Sequence, residues 1–365
     1  MIGAPPRPAQ PKSSHLHRSR LSALPYAAIL LFPLSLMAAV PFGGIALWAP
    51  LAIYFLIGPV ADHFGGRGNG VDPDAIEHSR LFQVIVATYA VLQIGFLVWA
   101  VFAFGSMPRL DQISFTLNFG IAIGGAGICC AHELLHKTSK TERFLGQSLL
   151  TLLNYGSFSI DHVFIHHNPR ITATKEDPSL SHVGQTAYDF IPRAAIGSAV
   201  EAFHLEQRRL KTSGYTLRNR VTRTFTISAT IALAILVFFG PATFLFYIFQ
   251  GLGGVSTLWI TGYLQHYGLI RRQGEGTSRY VNLSEANSWD CDYYVSNFLL
   301  LNLPRHSHHH KTPTQNYQRQ RASARAMRLP HGYPLMTLLA LVPPLWFRTM
   351  NPLLENRSEF SESEN

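Results

Sequence analysis

The sequence predicts an all-α, polytopic membrane protein of about six transmembrane helices, with a histidine-rich di-metal site on its cytosolic side. Three observations carry this expectation. Residues 21–60, 81–108, 112–132 and 224–270 contain no Lys, Arg, Asp or Glu. Nine histidines stand in four groups beside those stretches. Threaded through a bilayer, the stretches leave nearly all basic residues on one side.

The elements follow in order. Residues 1–20, rich in Pro, Ser and basic side chains, predict a disordered basic arm. About 20 apolar residues cross a hydrocarbon core, so residues 21–60 hold two spans, near 22–40 and 43–60. They fold back at Val40–Gly44. The first span is a signal anchor rather than a cleaved leader, because the second follows at once without a small-residue cleavage site. Gly65, Gly66, Gly68 and Gly70 mark a flexible loop over 61–80. The third and fourth spans are 81–104 and 113–131. Within the polar segment 132–223, the apolar stretch from Phe144 to Phe158 is short enough to lie in the interface or re-enter. A helix is expected over 195–212, with Glu201, Glu206, Arg208, Arg209 and Lys211 on polar faces. The last spans, 224–246 and 249–266, turn near Gly240–Pro241 or Gln250–Gly251. After a second polar segment, 267–330, comes an apolar interfacial piece, 335–347, in which Pro343–Pro344 breaks any helix. The membrane-embedded domain thus covers 21–352, and 353–365 form a loose acidic tail. There are no internal repeats.

Only 14% of the 365 residues are charged, against about 25% in soluble domains. With Arg7, Lys12, Arg18 and Arg20 in the cytosol, the outer turns fall at 41–43, 105–112 and 247–249. Of 30 Lys and Arg residues, only Arg109 is then outside. Both termini and all four histidine groups are cytosolic in this threading. The net charge of +9 suits an anionic leaflet. The basic residues lack interleaved stacking aromatics, so no nucleic-acid partner is expected. Cys129, Cys130 and Cys291 form no Cys-x-x-Cys, which excludes a zinc ribbon, a ferredoxin pattern or a fused rubredoxin. Cys129 and Cys130 are read as an inert buried pair.

Neutral imidazole is the commonest protein metal ligand. His132 and His136, four residues apart, share one helix face at the end of the fourth span. His162 and His166 repeat that spacing, and His167 adds a neighbour. Adjacent helical residues project about 100° apart, so such a pair suits two neighbouring metals better than one. His306, His309 and His310 repeat that logic, and His266 closes the sixth span. His308 is expected outside the ligand set, in an outer or solvent-facing role. Glu133, Asp161, Asp177 and Asp290 are candidates to orient imidazoles from behind. All-nitrogen sites suit Zn, Cu, Fe and Ni alike. His132-Glu133-Leu134-Leu135-His136 also fits the zinc-protease pattern, with Glu133 as base, but that reading leaves the other histidines unexplained. A metal carrier would line a transmembrane path with ligands, whereas these gather at one face.

These residues resemble the histidine boxes of the integral-membrane non-haem di-iron oxygenases and desaturases, most closely the membrane alkane hydroxylases. His132–Lys137 is similar to the first box, and His266-Tyr267-Gly268-Leu269 to the histidine-tyrosine-glycine segment. Leu303–His310 resembles the last box. Ser288-Trp289, Gly332-Tyr333-Pro334 and Leu341–Arg348 match as well, so the resemblance spans about 80–352. Asp161 stands where that family usually has glutamate, Phe164-Ile165 replaces a Lys-Gly-like pair, and His308 replaces an aspartate. Gly184-Gln185-Thr186 leans toward xylene-type methyl monooxygenases. The resemblance implies two irons and hydroxylation of a hydrocarbon methyl group. It also implies a bacterial inner-membrane location and electrons from a rubredoxin or ferredoxin with its reductase. The basic residues Arg208, Arg209, Lys211, Arg218, Arg220 and Arg223 are candidates to dock such an acidic donor or, equally, to bind the anionic leaflet. The spans would form an apolar slot open to hydrocarbon from the bilayer, with Trp48 as a candidate limit on its length. A fatty-acid desaturase or hydroxylase of the same superfamily is the alternative.

Overall fold

A computed structural model describes residues 22–68, 80–274 and 276–362, with side chains described through residue 355. The basic arm, most of the glycine-rich loop and the last three residues lie outside the described residues. Among the described residues four helices are long and apolar enough to cross a membrane: α2 (Gly44–Gly65), α3 (Leu81–Ser106), α4 (Arg109–Leu135) and α8 (Arg220–His266). A shorter apolar helix, α1 (Leu24–Ala39), precedes them. The 47-residue α8 is interrupted at Gly240, where φ is 82°. Pro241 then restarts the helix with its preset φ and no N–H to satisfy. The turn between the last two apolar stretches therefore falls at Gly240–Pro241, not at 247–249. Gln250 is instead helical and buried, donating to the carbonyls of Leu152 (2.9 Å) and Tyr247 (3.1 Å).

The core centres on α4. A Cβ on Gly120 would stand 2.9 Å from the Gln250 carbonyl oxygen, and one on Gly124 would stand 3.2 Å from the Gly254 Cα. Small residues thus let the α4 and α8 backbones touch, the usual solution where packing rather than hydrophobicity joins helices in lipid. α5 (Lys140–Leu152), capped by Ser139, lies against α4 and receives the Ser228 hydroxyl on its Thr151 carbonyl at 2.7 Å. It leads into α6 (Phe158–Asp161).

α7 (Ala187–Leu210) begins at the Thr186 cap and ends on Lys211 at φ 52°. Its Glu206 is not on a polar face. It is fully buried and accepts hydrogen bonds from Arg209 (2.8 Å) and Arg220 (2.7 Å). Burial favours its neutral acid, but these donors prevail and hold the carboxyl down to about 2. The glutamate thereby ties α7 to the start of α8.

The polar segment after α8 carries α9 (Tyr294–Leu299) and α10 (His306–Lys311). It also carries β1 (Trp289–Asp290) paired in parallel with β2 (Met327–Arg328), the only two-strand ladder among the described residues. The closing piece is two helices, α11 (Tyr333–Ala340) and α12 (Pro343–Glu362). The proline pair does end α11, but it then starts α12, where missing N–H groups cost nothing. Residues up to Glu362 are therefore helical rather than a loose tail.

Candidate metal centre

The nine histidines converge at one end of the bundle in two adjoining groups. His132, His136, His162, His167 and His309 form one group, and His166, His266, His306 and His310 the other; within each, ligand atoms lie within 4.8 Å of one another. In the first, Nε2–Nε2 separations are 2.9 Å for His132–His309 and His309–His167, and 3.1 Å for His136–His162 and His162–His167. In the second, His306 Nε2 lies 3.0 Å from that of His266 and 2.9 Å from that of His310. Nitrogens bound to one ion at ~2.0–2.1 Å stand about this far apart. Four or five donors aimed at one point, with no acid among them, therefore fit a metal ion.

Local helix geometry sorts the ligands. His132 lies in the last turn of α4 and His136 caps it, so their four-residue spacing keeps them together. After α6 the chain takes a π turn, His162–His166, in which His167 N–H bonds the His162 carbonyl at 3.1 Å. A π turn places residues five apart on one face. It pairs His162 with His167 and sends His166 to the other group. α10 does the converse: its ordinary spacing keeps His306 with His310, while His309 points to the first group.

Burial first, then neighbouring imidazoles, hold His162, His167, His306, His309 and His310 well below the ordinary histidine range. His136 is pushed down to about 4 by burial and then by Lys137. These rings are neutral at neutral pH, the form that binds metals. Burial also pushes on His166, but the Asp177 carboxylate outweighs it and raises that ring.

The candidate carboxylates divide by what they touch. Asp177 accepts from His166 Nδ1 at 3.2 Å and from the N–H groups of Ala173 (3.0 Å) and Ser179 (2.9 Å). Glu133 does not meet an imidazole; it takes Lys137 and the Tyr317 N–H. Asp290 accepts from the Ser307 N–H (2.8 Å) and hydroxyl (2.7 Å), pinning the start of α10. Asp290 thus holds the backbone that carries His306–His310, and Glu133 ties the end of α4 to the segment after α10; neither holds a ring. Asp161 is fully buried beside His162, with both oxygens free of hydrogen bonds, and burial raises it to about 7. His308 lies outside both groups, beside Thr312. Sequence reasoning missed Gln320, whose side-chain amide meets His309 Nδ1 at 3.2 Å. A lone glutamine in an irregular segment carries no spacing signal.

A cavity of ≈ 210 Å³ runs from Phe32, Leu51 and Tyr54 to Ile128, Leu258, Thr261 and Leu303. The last four also line a smaller chamber walled by His132, His162, His166, His266 and His306. The hydroxyl of Thr261 donates to the Thr257 carbonyl at 2.9 Å, which leaves this threshold apolar. Trp48 lies elsewhere on α2 and lines neither space.

Residues 112–338 match the fatty acid desaturase family. Alkane 1-monooxygenase 1 of Pseudomonas aeruginosa is 35% identical over 312 residues, which cover 82% of this chain and 80% of that protein. The alkane 1-monooxygenase of Acinetobacter baylyi is 33% identical, over 84% of this chain and 76% of its own. The hydroxylase component of a Pseudomonas putida xylene/toluene monooxygenase is 27% identical, over 60% of this chain and 57% of its own. The chain is a membrane protein of the fatty acid desaturase family and belongs, within it, with the alkane 1-monooxygenases.

Proposed function

We propose that this protein hydroxylates the terminal methyl group of a hydrocarbon, an alkane giving a primary alcohol, at two non-haem irons held by the nine histidines. The observation that carries this reading is the apolar cavity ending on a chamber walled by both histidine groups. Two bound irons would supply O₂ activation: R–CH₃, O₂, two electrons and two protons give R–CH₂OH and water. The residues do the rest. Ile128, Leu258 and Leu303 admit only a narrow apolar end to the chamber, so the methyl terminus is presented and polar solvent excluded. Asp177 holds the His166 proton on Nδ1 and leaves Nε2 for metal.

Electrons would come from a rubredoxin or ferredoxin with its reductase. Arg208, Arg209, Lys211, Arg218 and Arg223 are exposed at the α7–α8 junction, a face suited to an acidic protein. The Arg220 guanidinium sits 5.1 Å from the Phe164 ring, within the histidine-bearing π turn, and joins that face to the site. We place this face and both termini in the cytosol, with the protein in a bacterial inner membrane.

Membranes carrying the protein, given ¹⁸O₂, a reducing donor system and n-alkanes, are expected to release primary alcohol with one ¹⁸O atom. Alkyl-arenes such as p-xylene are the second substrate class, in line with the xylene monooxygenase relative. Oxidation of membrane acyl chains with no alcohol from either hydrocarbon would instead indicate a lipid desaturase or hydroxylase.

A further inference from the structure

We propose that hydrocarbon enters sideways from the bilayer, through a portal between α4 and α8 in the membrane half remote from the histidines. The identity of the traveller rests on the hydroxylase reading; the path rests on geometry. An apolar groove opens there, walled by Ile113 and Leu117 of α4 and by Leu245, Phe249 and Leu252 of α8, all exposed. The α4 members recur every four residues and those of α8 every three or four, so each helix offers one stripe. Two further residues of these stripes, Ile121 and Ser256, line both the groove and the inner cavity. Groove and cavity therefore adjoin at these two residues, and a passage joining them along α4 from Ile113 to Ile128 is ~22 Å long.

The neck falls where α4 and α8 approach most closely. α4 leaves α-helical geometry for a π segment, Phe119–Gly124, at this level. Such bulges commonly mark functional positions. The Ile121 carbonyl is met by the Thr257 hydroxyl at 3.2 Å. The two backbones touch at Gly120–Gly253 and Gly124–Gly254, so the neck between them is narrow. At the neck itself stands Ser256, small and exposed in mid-span. Among the described residues no charged side chain lines the passage, and Gln112, Thr116 and Thr257 along it donate to backbone carbonyls, so a hydrocarbon leaving the bilayer meets no charge.

The test uses a photoreactive long-chain alkyl diazirine in membranes carrying the wild type, Ser256→Phe, Ile121→Phe or Ser256→Ala, with inserted label mapped by peptide mass spectrometry. Metal content checks that each variant is folded. The wild type and Ser256→Ala are expected to carry label around Ile128 and Leu258. Both phenylalanine variants should lose that inner label while keeping label in the outer groove. Equal inner labelling in all four proteins would overturn the portal. So would wild-type label confined to the groove, which would make it a seat for a lipid acyl chain. Label that follows the expected pattern in a protein releasing no alcohol would uphold the portal and sink the hydroxylase reading, so the two fail separately.

Discussion

Replacing His306 with alanine is expected to empty the four-histidine group and abolish turnover. Its Nε2 lies between those of His266 and His310, so its loss leaves three donors and removes the one that links them. Loss of an outer partner costs ~10–100-fold in metal affinity or activity, and loss of a ligand at the centre of its group should exceed that. His136→Ala is the instructive comparison. It leaves four nitrogens in its group, as many as the other group starts with, and should retain more metal. Elemental analysis of both purified variants checks this ordering. Full metal content and ordinary turnover in His306→Ala would contradict the assignment.

Asp177→Asn should keep the fold yet lower metal affinity and turnover by ~10–100-fold. The carboxylate accepts from His166 Nδ1 and from two backbone N–H groups. Asparagine retains one acceptor oxygen but loses the charge, and its amide can donate to Nδ1, moving the ring proton to Nε2. Asp177→Ala goes further, because the Ala173 and Ser179 amides lose their acceptor in a buried loop. Chelator competition and thermal unfolding separate the two effects. The asparagine variant, in which one of the two backbone amides keeps its acceptor, should fall mainly in the first measurement and the alanine variant in both. Equal metal affinity in wild type and Asp177→Asn would show that the aspartate serves the loop alone.

Much of this architecture is legible in the chain because its signals are local. Charge-free runs locate the apolar helices α2, α3, α4 and α8 to within a few residues, since only composition decides what can sit in lipid. The ambiguity between Gly240–Pro241 and Gln250–Gly251 is resolved by tertiary contact: Gln250 and Gly251 pack on the end of α5 and the turn after it, and only Gly240 is left to bend. The residues of the histidine groups are visible as candidates, but their division is not. It depends on a π turn, which has no sequence period of its own, and which pairs His162 with His167 where α-helical spacing would pair it with His166. Burial of Glu206 is equally hidden, because Arg220, the partner that ties it to α8, lies fourteen residues along the chain. Glu133 and Asp290 read as ring-orienting acids because the histidine-bearing segments hold few other carboxylates, yet Glu133 accepts from Lys137 and the Tyr317 N–H, and Asp290 from the N–H and hydroxyl of Ser307.

The most direct measurement is metal content of the detergent-purified protein grown on iron-57, by elemental analysis with Mössbauer spectroscopy. About two irons per chain are expected, in two nitrogen-rich environments matching the five- and four-histidine groups, with the second depleted in His306→Ala. One zinc per chain and no iron would contradict the di-iron assignment, and would return attention to His132, Glu133 and His136 as a hydrolytic site.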